Sequence, residues 1–345
     1  MLNFASDYTE GALPEILEAL LRTNLEQLPG YGDDVYSKRA KEKILKACGC
    51  PDGDAFLLVG GTQTNSTVLA SLLMPYEGVI CADTGHIACH EAGAIEHQGH
   101  KVITLPGKDG LLLPGELEHY LTSFYADDTY THMVQPGAVY ISYPTEWGTV
   151  YSLDQLKALR SLTEKYHLKL FVDGARLGYA LAGPSCDLDL PVLAVLCDAF
   201  YIGGTKVGAL CGEAVVFPKG APRSFFTTVK QNGALLAKGR LTGVQFDTLL
   251  TDDLYMRAAR HALNMAEELK QLFRDEGVDF FMETPTNQQF VTLPNPALEK
   301  LKEHVLFSMW GAPGEEKSVV RFCTSWATTK EQLESLREYL HAALH

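Results

Sequence analysis

The chain has 345 residues, an apolar content of 46% and a formal net charge of −14. That length and composition support one large domain with a smaller companion. The acidic balance excludes nucleic acid and anionic membrane surfaces as partners, because both reward basic patches, and leaves a small molecule as the expected ligand.

The opening "MLNFASDYTEG" has no basic segment ahead of an apolar run, and no long uncharged apolar stretch follows elsewhere, so a cytoplasmic location is expected. Eight cysteines lie scattered, several inside strand-like segments, and are expected as reduced thiols. Cys48 and Cys50 form a close pair without the second ligand cluster that a zinc site needs, so no metal is expected.

"AFLLVGG" reads as a buried strand ending in glycines, and "TQTNSTVLASLL" behind it as a helix with Val68, Leu69, Leu72 and Leu73 at helical spacing. "AVYIS" (138 to 142) is a second strand. A helix over "SLDQLKALRSLTEKYHL" follows, opened by a Ser152–Gln155 capping box, and "KLFVDGA" resumes strand character. Strand, helix and strand at this length form a crossover between parallel strands. The repeated pattern predicts an α/β fold with a mostly parallel sheet flanked by helices. After about residue 247 a long helix ("DDLYMRAARHALNMAEELKQLFRDEG"), the strands "QQFVTLP" and "SVVRFCTS", and a last helix carrying Leu333, Leu336 and Leu340 predict a small α+β domain over 248–345. Residues 1–247 are assigned to an N-terminal segment and the large domain.

Three elements of the large domain end in polar residues: "GGTQTN", "FVDGAR" and "YIGGTK". Ligands of open parallel sheets bind beyond the carboxyl ends of the strands, so these ends are expected to converge. Gly61 and Thr62 stand where a helix N-terminus offers N–H groups to an anion, although tight turns also use glycine for steric reasons alone. A dinucleotide fingerprint is absent. Asp173 closes an apolar strand and needs a cationic partner, either the nearby Arg176 or a protonated ligand nitrogen. Lys206 sits in "DAFYIGGTKVGALC" without nearby surface charge; it is either a structural lysine that snorkels to solvent or pairs with Asp198, or an amine nucleophile of depressed pKa.

Together these stretches resemble the pyridoxal-phosphate enzymes of the aspartate-aminotransferase fold, and within them the threonine aldolases and related β-eliminating lyases. "SDYTEG", "YGDDVYS", "GGTQTN", "GHIACHEAGA", "VDGAR" and "SVVRFCTS" each match a family block, and the match runs nearly end to end. The resemblance implies pyridoxal 5'-phosphate as cofactor, with Lys206 holding its aldehyde, Asp173 its pyridine nitrogen, Gly61 and Thr62 its phosphate, and His86 stacked on its ring. It also implies that Arg176 and Arg321 bind the substrate carboxylate, with Ser6 completing the pocket. Arg240 in "KGRLTG" aligns with an arginine that reaches the phosphate of a neighbouring subunit, which requires a homo-oligomer, a dimer or tetramer. "YPTEWG" (143 to 148) departs from the family block at that place, and His132 matches a second family histidine only with a one-residue shift. The implied activity is cleavage of L-threonine or a related β-hydroxy-α-amino acid to glycine and an aldehyde, with the base being His132, His86 or a water they orient. The alternative is β-elimination on another amino acid.

Overall fold

The computed structural model describes residues 1–184 and 186–345. The chain begins with β1 (Leu2–Asn3) and then builds a seven-stranded sheet from β2 (Asp54–Leu58), β3 (Glu77–Ala82), β4 (Val102–Leu105), β5 (Gln135–Ser142), β6 (Lys169–Asp173), β7 (Ala199–Gly203) and β8 (Glu213–Phe217). The spatial order is β2-β8-β7-β6-β5-β3-β4. Neighbours pair in parallel from β7 through β4, while β8 runs antiparallel to both β7 and β2. All of β7, and all of β5 after Gln135, are buried, as expected of strands covered on both faces by helices.

The crossover read from the sequence is present. The helix Leu153–Lys165 starts on the Ser152–Gln155 capping box and joins β5 to β6 in parallel register, with Leu156, Leu159 and Leu162 buried. Two glycines let the ends of β6 and β7 close up. A Cβ on Gly174 would lie 1.8 Å from the Tyr201 carbonyl oxygen, and one on Gly203 would lie 2.4 Å from that of Ala175. No side chain fits at either position, and the polar ends of the two strands are thereby brought together.

Beyond the helix Arg240–Leu249, within which the 247/248 boundary falls, the helix Leu254–Asp275 bridges two cores. Its first half, Leu254 to Leu263, packs into the core of the large sheet, and its second half, Met265 to Phe273, into a separate cluster. That second cluster covers a four-stranded antiparallel sheet of β9 (Asp279–Met282), β10 (Gln288–Pro294), β12 (Ser308–Met309) and β13 (Lys317–Cys323), in the order β12-β13-β10-β9. The last helix, Lys330–Leu344, opens on a Thr329–Gln332 capping box and buries Leu333, Leu336 and Leu340 there. β1 pairs in parallel with β11 (Val305–Leu306), and Phe4 joins the same cluster. Residues 5 to 8 are therefore led from the small layer toward the carboxyl edge of the large sheet. Among the described residues no helix is long and apolar enough to cross a membrane, and all eight cysteines are free thiols.

Candidate active site

The carboxyl ends of β5, β6 and β7 deliver Ser142, Asp173 and the turn to Lys206 into one cavity of about 370 Å3. Gly61, His86, Glu146, Arg176 and Tyr201 complete its walls. The convergence expected for Gly61, Asp173 and Lys206 is thus realised, and His86 joins them.

Gly61 begins the helix Gly61–Leu72 behind Gly60 in extended conformation, and its first intrahelical N–H bond is donated by Thr64 to Gly60 at 2.9 Å. The preceding N–H groups of this first turn have no helical acceptor and face the positive end of the dipole, with Thr62 exposed beside them. They are the groups in the cavity wall best suited to an anion.

Asp173 is buried and accepts four hydrogen bonds: from the Tyr140 hydroxyl at 2.6 Å, Asn65 at 2.9 Å, the Ala175 amide at 2.9 Å and the Tyr201 hydroxyl at 2.5 Å. Burial raises its proton affinity, but the nearby His86 charge and these donors outweigh it and hold the carboxyl below the usual carboxylate range. Asn65 also donates to Glu91 at 2.6 Å, and the Glu91 carboxylate holds His86 Nδ1 at 2.7 Å. Burial of His86 opposes its charging, yet Glu91 and Asp173 raise its pKa overall. Glu146 accepts from the His86 amide at 2.9 Å and the Ser142 hydroxyl at 2.6 Å, which fixes the short turn carrying His86.

Lys206 lies partly buried on the glycine-rich turn, anchored by the Tyr179 hydroxyl, which donates to its carbonyl at 2.5 Å. Burial and the neighbouring Arg176 lower its pKa, against the pull of Asp7, Asp173 and Glu213. The structural pairing with Asp198 does not occur, because Asp198 binds Arg160 at 2.7 Å.

Arg176 is shared between the N-terminal segment and the site: its Nε and Nη2 bind Asp7, at 2.7 and 2.9 Å, while the residue lines both cavities beside Lys206. Arg176 is not the partner of Asp173. Asp7 is fully buried, takes a further bond from Asn287 at 2.9 Å, and keeps its carboxyl below the usual range because Arg176 and Lys206 overcome the effect of burial.

Arg321, on β13, faces the site from the small layer across a second cavity that it shares with Tyr8, His86, His90, Lys206 and Trp310. Its Nη1 binds Gln288 at 3.1 Å, its Nη2 binds the Ala5 carbonyl at 3.1 Å, and its guanidinium lies over Trp310 at 5.1 Å. Arg321 Nε and the Ser6 hydroxyl are buried without partners. Arg321 lines the cavity, and its orphaned donor is of the kind that an arriving carboxylate satisfies.

Two expected residues are not brought to this site by their own chain. His132 is exposed in a short turn before β5, while the site lies beyond the other end of that strand, about 23 Å along it. It cannot act as the base within its own subunit. Arg240 gives its guanidinium to the carbonyls of Thr23 and Glu26, the latter at 2.7 Å, away from both cavities. The network of Asn65, Glu91, Tyr140, Tyr201 and Asp7 was missed by motif reading. Strand alternation was its one signal, since Tyr140 shares a face of β5 with Ser142.

Comparisons with known proteins bear on the family and the fold. The beta-eliminating lyase family model matches residues 3–295. A low specificity L-threonine aldolase from a Pseudomonas species is 32% identical over 99% of this chain and 97% of its own. The structure of a Leishmania major threonine aldolase superposes with a TM-score of 0.94 at 36% identity, covering 100% of both chains. An aspartate aminotransferase of Thermus thermophilus, 16% identical, superposes at 0.74 over 99% of this chain and 91% of its own, which speaks for the fold alone. Matched along nearly its whole length, the chain belongs to the beta-eliminating lyase family, on the side of its threonine aldolases.

Proposed function

We propose that the protein is a pyridoxal-phosphate-dependent aldolase that cleaves L-threonine or a related β-hydroxy-α-amino acid to glycine and an aldehyde. The observation that carries this reading is the placement of an ionised, four-fold hydrogen-bonded Asp173 and a lysine of depressed pKa at the ends of adjacent strands, opposite an arginine with an unpartnered Nε. The residues fit the cofactor: the free N–H groups at Gly61 and Thr62 suit its phosphate, Asp173 a protonated pyridine nitrogen, His86 a ring face and Lys206 an aldehyde. When bound, pyridoxal phosphate supplies a carbonyl for the substrate amine and a ring that accepts the electrons released at Cα.

The chain's own residues do the rest. Arg321 and the Ser6 hydroxyl grip the α-carboxylate and orient the amino acid. Glu91 fixes the His86 ring, and Tyr140, Tyr201 and Asn65 keep Asp173 charged. Arg176, in the wall of the same cavity, also clamps the N-terminal segment that carries Ser6, through Asp7. A homo-oligomer of dimer or tetramer size in the cytoplasm belongs to the same reading. Leu17, Leu21 and Leu25 present an exposed apolar row on and just beyond the helix Pro14–Thr23, and Arg240 fastens that segment through Thr23 and Glu26. The test is a parallel assay of aldehyde and keto acid from a panel of β-hydroxy amino acids. Aldehyde with equimolar glycine supports the aldolase, whereas keto acid with ammonia replaces it by β-elimination.

A further inference from the structure

The reaction requires a group to take the β-hydroxyl proton, and the sequence candidate, His132, lies at the wrong end of the sheet. Two imidazoles border the substrate cavity, and they differ in state. His86 is bound by Glu91 at 2.7 Å, so its Nδ1 is not a free acceptor, and Glu91 and Asp173 raise its pKa overall against the effect of burial. His90 lies one helical turn further on, with its ring centroid 5.7 Å from that of His86. Among the described residues neither of its ring nitrogens has a hydrogen-bond partner, and burial together with the charges of His86 and Arg321 lowers its pKa. A neutral, unpartnered imidazole is what a general base must be. Glu146, the other basic group of the wall, accepts from the His86 amide and the Ser142 hydroxyl on one oxygen, Oε1, and its other oxygen is the rival that Glu146→Gln tests.

The placement of the substrate points the same way. The cavity that holds Lys206, for the α-amine, and Arg321, for the α-carboxylate, is lined by His90 as well. We propose that His90 is a catalytic residue, the general base that accepts the β-hydroxyl proton during Cα–Cβ cleavage. The O–H bond breaks and its electron pair becomes the second C–O bond of the aldehyde. The Cα–Cβ pair stays with Cα, where bound pyridoxal phosphate would supply the electron-accepting ring, and the imidazolium passes its proton to solvent as Cα gains one. The net change is amino acid to glycine plus aldehyde. This role rests on the aldolase reading above.

The experiment compares the holoenzyme with its His90→Asn and His90→Phe variants. His90 is exposed, so both variants should fold, which melting temperature and cofactor content verify. Loss of a general base should lower kcat/KM for L-threonine by about 10²–10⁴-fold, while glycine, which has no hydroxyl, should bind by calorimetry within about twofold of wild type. The activity of the wild type should fall as pH drops below the ordinary histidine range, because protonation disables the base, and this limb should vanish in His90→Asn. The groups facing His90 from the surrounding elements are Tyr8, His86, Glu146, Arg176, Lys206 and Arg321. Wild-type kcat/KM in His90→Asn overturns the proposal. So does an acid limb that survives in His90→Asn and is abolished in Glu146→Gln. If the wild type itself releases no aldehyde from any β-hydroxy amino acid, the aldolase reading falls and His90 falls with it.

Discussion

Replacing Arg321 by alanine tests which group holds the substrate carboxylate. The side chain is fixed before any ligand arrives, by Gln288 and Ala5 at 3.1 Å, by the Ser308 hydroxyl at 3.3 Å and by the face of Trp310. Three of its five N–H groups are used in this way; Nε is buried and unpaired and one Nη1 hydrogen is also left over, so a carboxylate bound there gains a charge-assisted hydrogen bond with little further ordering of the protein. Such a bond contributes about 1.5–3 kcal/mol, which corresponds to a loss of about 10- to 150-fold in kcat/KM for Arg321→Ala. Arg321→Lys keeps the charge but not the planar fork and should fall between alanine and wild type. The assay is steady-state aldehyde release at 25 °C, with bound cofactor measured on the same samples. Cofactor content should not change, because Gly61, Asp173, His86 and Lys206 lie on other elements. An Arg321→Ala enzyme with wild-type kcat/KM refutes the assignment and leaves the Ser6 hydroxyl as the carboxylate donor.

In Lys206→Ala, borohydride reduction should leave no pyridoxyl group on the chain; a label on any other lysine of the reduced wild type would displace Lys206 from its role. Asp7→Asn strips the buried Arg176 of its counter-charge and should cost about 3–5 kcal/mol of stability in urea unfolding, with an unchanged midpoint counting against the clamp. Since the folded-state pKa of Asp7 is depressed, its stabilisation is fully present above the ordinary carboxylate pKa and is lost as pH falls through the lowered value. The melting temperature should therefore drop more steeply below about pH 4 in the wild type than in Asp7→Asn. Sedimentation should find the active species to be at least a dimer, and full activity in a monomer at assay concentration would remove the cross-subunit role of Arg240.

Lys206, Asp173 and Gly61 were legible because each contrasts with its immediate surroundings: a charge or a paired glycine at the end of an apolar run. The sheet was legible for a similar reason, except for the direction of β8. "EAVVF" has the composition of its parallel neighbours, but residues 204–212 are too few for a crossover helix, so the strand must return antiparallel, as it does. That constraint was present in the sequence as a length rather than a motif. The hydrogen-bonding of Asp173 was hidden differently. Tyr140 and Tyr201 read as core aromatics, and only the paired register of β5, β6 and β7 turns their hydroxyls toward one carboxylate.

The two arginines show where reading by motif stops. Arg176 and Arg321 each follow a strand-like run, and guanidinium chemistry gives both the same fitness for a carboxylate. What separates them is occupancy. The Asp7 that binds Arg176 is 169 positions away in the chain, and it arrives only because β1 is tied to β11 and leads residues 5 to 8 across the gap between the layers. That same crossing sets the Ala5 carbonyl on Arg321 and leaves the Ser6 hydroxyl buried without a partner one residue further on. One short N-terminal segment therefore holds two nitrogens of the first arginine and helps to fix the second. Its removal should release both, so a chain lacking residues 1–8 should lose substrate affinity even though every residue that lines the cofactor cavity is still present.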